Sequence, residues 1–172
     1  MMIILGNAVS MIGCMVMVLI GFLRKKEQSL MAQCVQFGFL SAGNLILGGM
    51  TGFISGVVSI ARNLVFAFTG GSRGWKIGFI VLQTMLTFLP GWPGLLGCLP
   101  LISGVILTWF LDAKSDVQFK LAIIVAQVTW VIYDWSYRNY VAFAFDIFTI
   151  LSNLSSMLMI YRNEHNQKAP LL

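Results

Sequence analysis

Charge is scarce in this chain: only 10% of its 172 residues are Asp, Glu, Lys or Arg, against about a quarter in an ordinary soluble domain. Histidine occurs once, as His165 in a polar stretch near the C-terminus. No His-Glu-x-x-His pair, phosphate-binding glycine loop, nucleophile elbow or Cys-x-x-Cys is present. Intramembrane catalysis needs a nucleophile with a base, a metal cluster or paired carboxylates, and the acids here fall at different depths, so the chain is expected not to be an enzyme and to use no cofactor or metal. Cys14, Cys34 and Cys98 sit inside apolar stretches without metal-ligand spacing, which reads them as small packing residues rather than a disulfide framework. The basic residues form short clusters between apolar runs instead of one stripe, so nucleic acid is not an expected partner.

What the chain has is hydrocarbon: 58% of it is apolar and the mean hydropathy is +0.87. At about 20 residues per crossing, this predicts an all-α polytopic membrane protein with no room for a soluble domain of any size. Apolar windows and their breaks predict seven transmembrane helices near 1–23, 29–49, 51–69, 75–90, 95–111, 117–135 and 140–161. The first has no basic residue ahead of it and Arg24, Lys25 and Lys26 behind it, which reads as a retained span rather than a secretion signal. Gly48-Gly49-Met50-Thr51-Gly52 must contain a tight turn, because a helix of about 40 residues would overshoot a core of about 30 Å. Pro90-Gly91-Trp92-Pro93-Gly94 predicts a second sharp turn. Trp75, Trp92, Trp135 and Tyr161 fall near predicted ends, as interfacial anchors do.

Basic residues sort by side in a seven-span arrangement. Arg24, Lys25, Lys26, Arg73, Lys76, Lys114, Lys120, Arg162 and Lys168 share one side, Arg138 takes the other and Arg62 lies within a span. The positive-inside rule then predicts the N-terminus out and the C-terminus in.

The chain also resembles itself. Ile60-Ala61-Arg62-Asn63-Leu64 aligns with Ile150-Leu151-Ser152-Asn153-Leu154, and the same offset pairs Phe53 with Phe143 and Asn44 with Asp134. Gln36 and Gln127 agree after a one-residue shift. This predicts two parallel three-helix repeats, residues 1–69 and 95–161, joined by a connector helix and turn over 70–94 and followed by a cytoplasmic tail over 162–172.

Polar residues recur on helical faces within the spans: Gln33, Gln36 and Asn44; Ser55, Ser59, Arg62 and Asn63; Gln127, Trp130 and Asp134; and Asp146, Thr149, Asn153 and Ser156. Arg62 is the most informative, because a guanidinium at mid-helix costs roughly 2.5 to 3.5 kcal/mol on insertion scales and needs a counter-ion. Asp146 is the expected partner and Asp134 the second choice, forming an ion pair that either locks two helices or gates a cavity. Gly48, Gly52 and Gly56, and likewise Gly6, Ser10 and Cys14, follow a small-xxx-small pattern that marks close helix packing. Pro100 interrupts the fifth span and reads as a hinge or an inert kink.

These residues resemble a known pattern. Ser59-Ile60-Ala61-Arg62-Asn63, Leu99-Pro100 with Thr108-Trp109, and the block from Trp130-Val131-Ile132-Tyr133-Asp134 through Asp146 and Asn153 to Arg162 look like the YgjV-like bacterial inner-membrane proteins. The resemblance implies a multi-pass protein of the bacterial cytoplasmic membrane. More distantly, three spans, a connector and three spans is similar to SWEET sugar transporters and PnuC-type vitamin transporters. The SWEET likeness implies solute contacts from Asn63 and Asn153, although the Pro-Gln motif of the related PQ-loop proteins is absent and Pro100 alone matches their hinge prolines.

The expected function is therefore a transporter or facilitator of a small polar solute, sugar-like or vitamin-like, working by alternating access. Asn63, Asn153, Gln36, Gln127 and Trp130 are the expected solute contacts. Its expected partners are the lipid bilayer and the solute, with a homo-oligomer left open. The competing expectation is a non-transporting scaffold, or a substrate-binding accessory subunit of a larger complex.

Overall fold

The computed structural model describes residues 1–20, 26–69, 72–111, 113 and 115–168. Among them the chain forms seven helices and no strand: α1 Met2–Ile20, α2 Lys26–Ile46, α3 Met50–Thr69, α4 Arg73–Phe88, α5 Gly94–Phe110, α6 Asp116–Ser136 and α7 Tyr140–Lys168. Arg24, Lys25 and Lys114 of the orientation argument lie outside the described residues, as do the side chains of Lys26, Tyr161 and Lys168.

Each helix covers an expected span. Four stretches, Met2–Ile20, Met50–Thr69, Val117–Ser136 and Tyr140–Ile160, are long and apolar enough to cross a bilayer, and Gly94–Phe110 is apolar but shorter. α2 falls short because of its polar face, and α4 because 16 residues rise only about 24 Å. α7 overruns its expected end at 161, since Tyr161 to Lys168 contains neither proline nor glycine to stop it.

Backbone geometry explains the expected turn at the second and third spans. Gly48 takes a left-handed φ of 86°, with its N–H on the Leu45 carbonyl, while the Gly49 N–H reaches the Asn44 carbonyl at 2.7 Å. The turn between α6 and α7 is built alike: Arg138 has φ 60° and bonds the Trp135 carbonyl, and the Asn139 N–H reaches the Asp134 carbonyl at 2.9 Å. The Pro90–Gly94 turn likewise carries positive φ at Gly91 and Gly94. Trp75, Trp92 and Trp135 are all exposed at or beside helix ends.

The two similar turns close the same end of the bundle. Asn139 Nδ2 donates to Asn44 Oδ1 at 3.1 Å, and the Tyr133 hydroxyl accepts the Gly52 N–H at 2.8 Å. That N–H belongs to the first turn of α3, where no intrahelical acceptor exists, so a side chain of α6 caps α3. Asn7 of α1 does the same for α7, its Oδ1 accepting the Val141 N–H and its Nδ2 donating to the Arg138 carbonyl.

Helix contacts run in a closed circuit, α1 to α2, α3, α5, α6, α7 and back to α1. Packing is denser within α1–α2–α3 and within α5–α6–α7 than across the seams α3·α5 and α7·α1. α4 stays outside the circuit, against α3 and α5, with Phe79 beside Phe66 in a buried cluster that also holds Leu30 and Val58. Small residues permit the close approaches: a Cβ at Gly43 would collide with Ser10 of α1, and one at Gly56 with Ser41 of α2.

Burial is inverted relative to a water-soluble fold. Asn63, Gln83, Thr108, Ser103, Asn139, Asp134 and Arg62 are buried, whereas Leu19, Met85, Leu95, Phe148, Leu158 and Met159 are exposed. With hydrocarbon as solvent, apolar side chains gain little by turning inward and polar ones gain partners, which accounts for the inversion.

Candidate functional site

Inside the ring lies a cavity of about 310 Å³, lined from all six helices of the circuit and not from α4. α2 contributes Gln33, Gln36 and Asn44, and α3 contributes Ser55, Ser59 and Arg62. Opposite them, α6 presents Gln127, Trp130 and Asp134, and α7 presents Asp146, Thr149 and Asn153. α1 and α5 add mostly apolar and small residues, among them Cys14, Ser103 and Leu107. The spacings that place these polar groups on one helical face are the ones visible in the sequence.

The structure corrects the expected role of Asn63. It is 0% exposed and is absent from the cavity lining: its Nδ2 donates to Gln33 Oε1 at 2.8 Å, and its Oδ1 accepts from Arg62 Nε at 3.2 Å and Nη2 at 3.1 Å. The amide is therefore turned to its protein neighbours and away from the cavity. Asn153, its counterpart by sequence offset, does line the cavity, with Nδ2 donating to the Thr149 carbonyl at 2.8 Å. Gln36, Gln127 and Trp130 line it as expected.

The expected partner of Arg62 is corrected as well. No ion pair joins Arg62 to Asp146 or Asp134 among the described residues; its guanidinium donates to Asn63 Oδ1 and, through Nη1, to Thr108 Oγ1 at 2.9 Å. Depth is the reason. Arg62 lies in the fourth turn of α3 and Asp146 in the second turn of α7, counted from the shared turn end, a difference of about 9 Å along the axis. Charge-assisted hydrogen bonds contribute roughly 1.5 to 3 kcal/mol each, so the three bonds to these two neutral acceptors can offset the insertion cost of about 2.5 to 3.5 kcal/mol.

The two acids face each other instead, within side-chain hydrogen-bonding reach, and Asn139 is also within reach of Asp134. Asp134 Oδ1, Asp146 Oδ2 and Gln127 Oε1 are buried atoms without a hydrogen-bond partner. On α5, the fully buried Ser103 hydroxyl is in the same condition.

Taken together, the ring, the polar groups at its centre and its apolar outer face are those of a membrane-embedded protein, and the family match agrees. A family model described as a bacterial inner membrane protein, Imp-YgjV, matches residues 4–164. The chain belongs to this family. It is a multi-pass protein of the bacterial inner membrane. No curated protein and no solved structure matches it, so the likeness to SWEET and PnuC-type carriers rests on the sequence pattern alone.

Pro100, the expected hinge of this inner-membrane chain, is fully buried and does not line the cavity. Its carbonyl accepts from Ser55 Oγ at 3.2 Å and from Gln83 Nε2 at 3.2 Å, and Gln83 also donates to Ser55 at 3.0 Å. α3, α4 and α5 thus meet at one polar node, and Gly104 leaves room for the Gln83 amide. Sequence reading missed Thr108, Tyr133 and Asn139 as structural partners and Ser103 as a cavity-lining residue. Ser103 and Thr108 carry a usable signal, being the polar side chains in an otherwise apolar α5.

Proposed function

We propose that the chain carries a small polar solute across the inner membrane by alternating access about the central cavity. The observation that carries this reading is the set of polar side chains set into the otherwise apolar wall of that cavity, drawn from both α2–α3 and α6–α7 while the outer surface is apolar. Spending buried polar groups on a hole in a membrane protein is costly unless something polar enters it.

Seven crossings, with the N-terminus out and the C-terminus in, belong to the same reading. So does the division into two parallel three-helix repeats. Supporting it are the matching turns at Gly48 and Arg138, and a contact circuit whose two seams correspond when α1–α3 is laid on α5–α7. Thinner packing at those seams suits two trios that rock against each other, with α4 as the tether. Transport rather than catalysis is the proposed role.

Uptake into liposomes holding the purified chain, screened over polyols, sugars, amines and carboxylates, tests this. Flux of at least one class is expected, and Ser103→Phe, which pushes a ring into the cavity, should abolish it while circular dichroism keeps its helical signal. Absence of flux for every class, with a companion protein copurifying from native membrane in equal amount, would point to the accessory-subunit role.

A further inference from the structure

The cavity is electrically lopsided. Its wall at α6 and α7 concentrates acceptors, Asp134 Oδ1, Asp146 Oδ2 and Gln127 Oε1, all buried and without partners. Asp134 is 3% exposed, facing the cavity rather than the outer surface. Among the described residues the one basic side chain lining the cavity is Arg62, which is engaged by Asn63 and Thr108 about 9 Å deeper. The other titratable groups facing the acids are the Cys14 thiol of α1 and the Tyr133 phenol of α6, and neither brings positive charge.

Two buried carboxyl groups on one cavity wall stay neutral by sharing protons when the cavity is empty, and ionise when a cation enters beside them. The surroundings select its kind. Gln127, Trp130 and Asp134 succeed one another on one face of α6, so the acceptors stand beside an indole that lines the same cavity. Acceptors that attract N–H donors next to an aromatic ring suit an alkylammonium group, which needs directional hydrogen bonds and gains from a ring beside its charge. No group of three or more His, Cys, Asp or Glu side chains placed to hold a metal ion occurs among the described residues.

We propose that Asp134 and Asp146 are the recognition pole for the protonated amine of an organic solute, with Gln127 accepting a further N–H and Trp130 flanking the charge. This deepens the carrier reading and rests on it: the transported solute is an amine rather than a neutral sugar.

Thermal unfolding of the full chain in detergent provides the test, with probes matched in shape. Ethanolamine and putrescine should raise the unfolding midpoint in a saturable way, while ethylene glycol, 1,4-butanediol and sodium chloride at equal concentration should not. Asp134→Asn and Asp146→Asn, close in size to the native residues, should each weaken the apparent amine affinity about ten- to a hundredfold. Equal shifts from the diols or from sodium, or no shift from either amine, overturn the proposal, and this comparison needs only the native chain. An amine effect unchanged in both variants overturns it too. Liposome flux separates the two readings: flux of polyols alone sinks the amine pole and spares the carrier, whereas amine binding without any flux supports the pole and sinks the carrier.

Discussion

Gly48 and Arg138 hold the same left-handed backbone position, φ 86° and φ 60°, in two turns that close one end of the helix bundle. The equivalence extends outward from them. Phe53 and Phe143 each donate an N–H to the residue that follows the left-handed position, Gly49 and Asn139 respectively. One turn uses glycine, the residue suited to that conformation, and the other tolerates an arginine, so substitution should act on them in opposite directions.

Gly48→Ala should destabilise the chain by about 1 to 2 kcal/mol, the cost of a left-handed L-residue. Arg138→Gly should raise stability by about 0.5 kcal/mol, because relief of that strain exceeds the entropy that glycine adds to the unfolded chain. Unfolding midpoints in detergent that move in the same direction would refute the shared strain.

Tyr133→Phe removes the acceptor of the Gly52 N–H and of the Thr51 hydroxyl at 3.3 Å, in a site where Tyr133 is 0% exposed. An unsatisfied buried donor costs about 1 to 3 kcal/mol. A loss of that size in thermal unfolding is expected, and an unchanged midpoint would show that α3 does not depend on this cap.

Thr108→Val is nearly isosteric and strips Arg62 Nη1 of its partner. The expected loss is about 1.5 to 3 kcal/mol, larger than for a neutral hydrogen bond. Arg62→Lys should also destabilise, since a lysine cannot reach Asn63 and Thr108 with one planar fork. If Arg62 were instead held by Asp146, Thr108→Val would leave stability unchanged.

Two glycines of α2 make a paired test of close packing. A Cβ at Gly43 meets Ser10 and the Gly6 carbonyl at 3.0 Å, whereas a Cβ at Gly38 meets nothing within 4 Å. Gly43→Ala should therefore cost about 1 to 3 kcal/mol through overpacking. Gly38→Ala should stabilise by roughly 0.5 to 1 kcal/mol through helix propensity alone. Denaturant titrations of the two variants should diverge accordingly.

Orientation is open to a chemical check. Trp92, 71% exposed in the turn between α4 and α5, replaced as Trp92→Cys should react with a membrane-impermeant thiol reagent added to intact cells. A reporter fused after residue 172 should be active in the cytoplasm. Labelling from the cytoplasmic side only would reverse the topology.

Helix positions, the Gly48 and Pro90–Gly94 turns and the inward polar faces were all legible in the amino-acid sequence. They depend on local properties: twenty apolar residues in a row, a backbone conformation suited to glycine, and a repeat of polar side chains every three or four positions. Membership of the membrane class needed nothing beyond composition. The polar lining contributed by Gln36, Gln127, Trp130 and Asn153 follows from the same periodicity.

Partnership was decided by the tertiary structure. Asn63 carries the same sequence signal as the residues that line the cavity, yet it turns to Gln33; Arg62 does line the cavity but bonds Thr108 rather than an acid, while Asp134 and Asp146 meet each other. Helical periodicity sets which face a side chain occupies, but not the axial shift and rotation of one helix against the next. A depth difference of about 9 Å between Arg62 on α3 and Asp146 on α7 is enough to exchange an expected salt bridge for the Thr108 hydroxyl of α5, the neighbour that the ring order places beside α3.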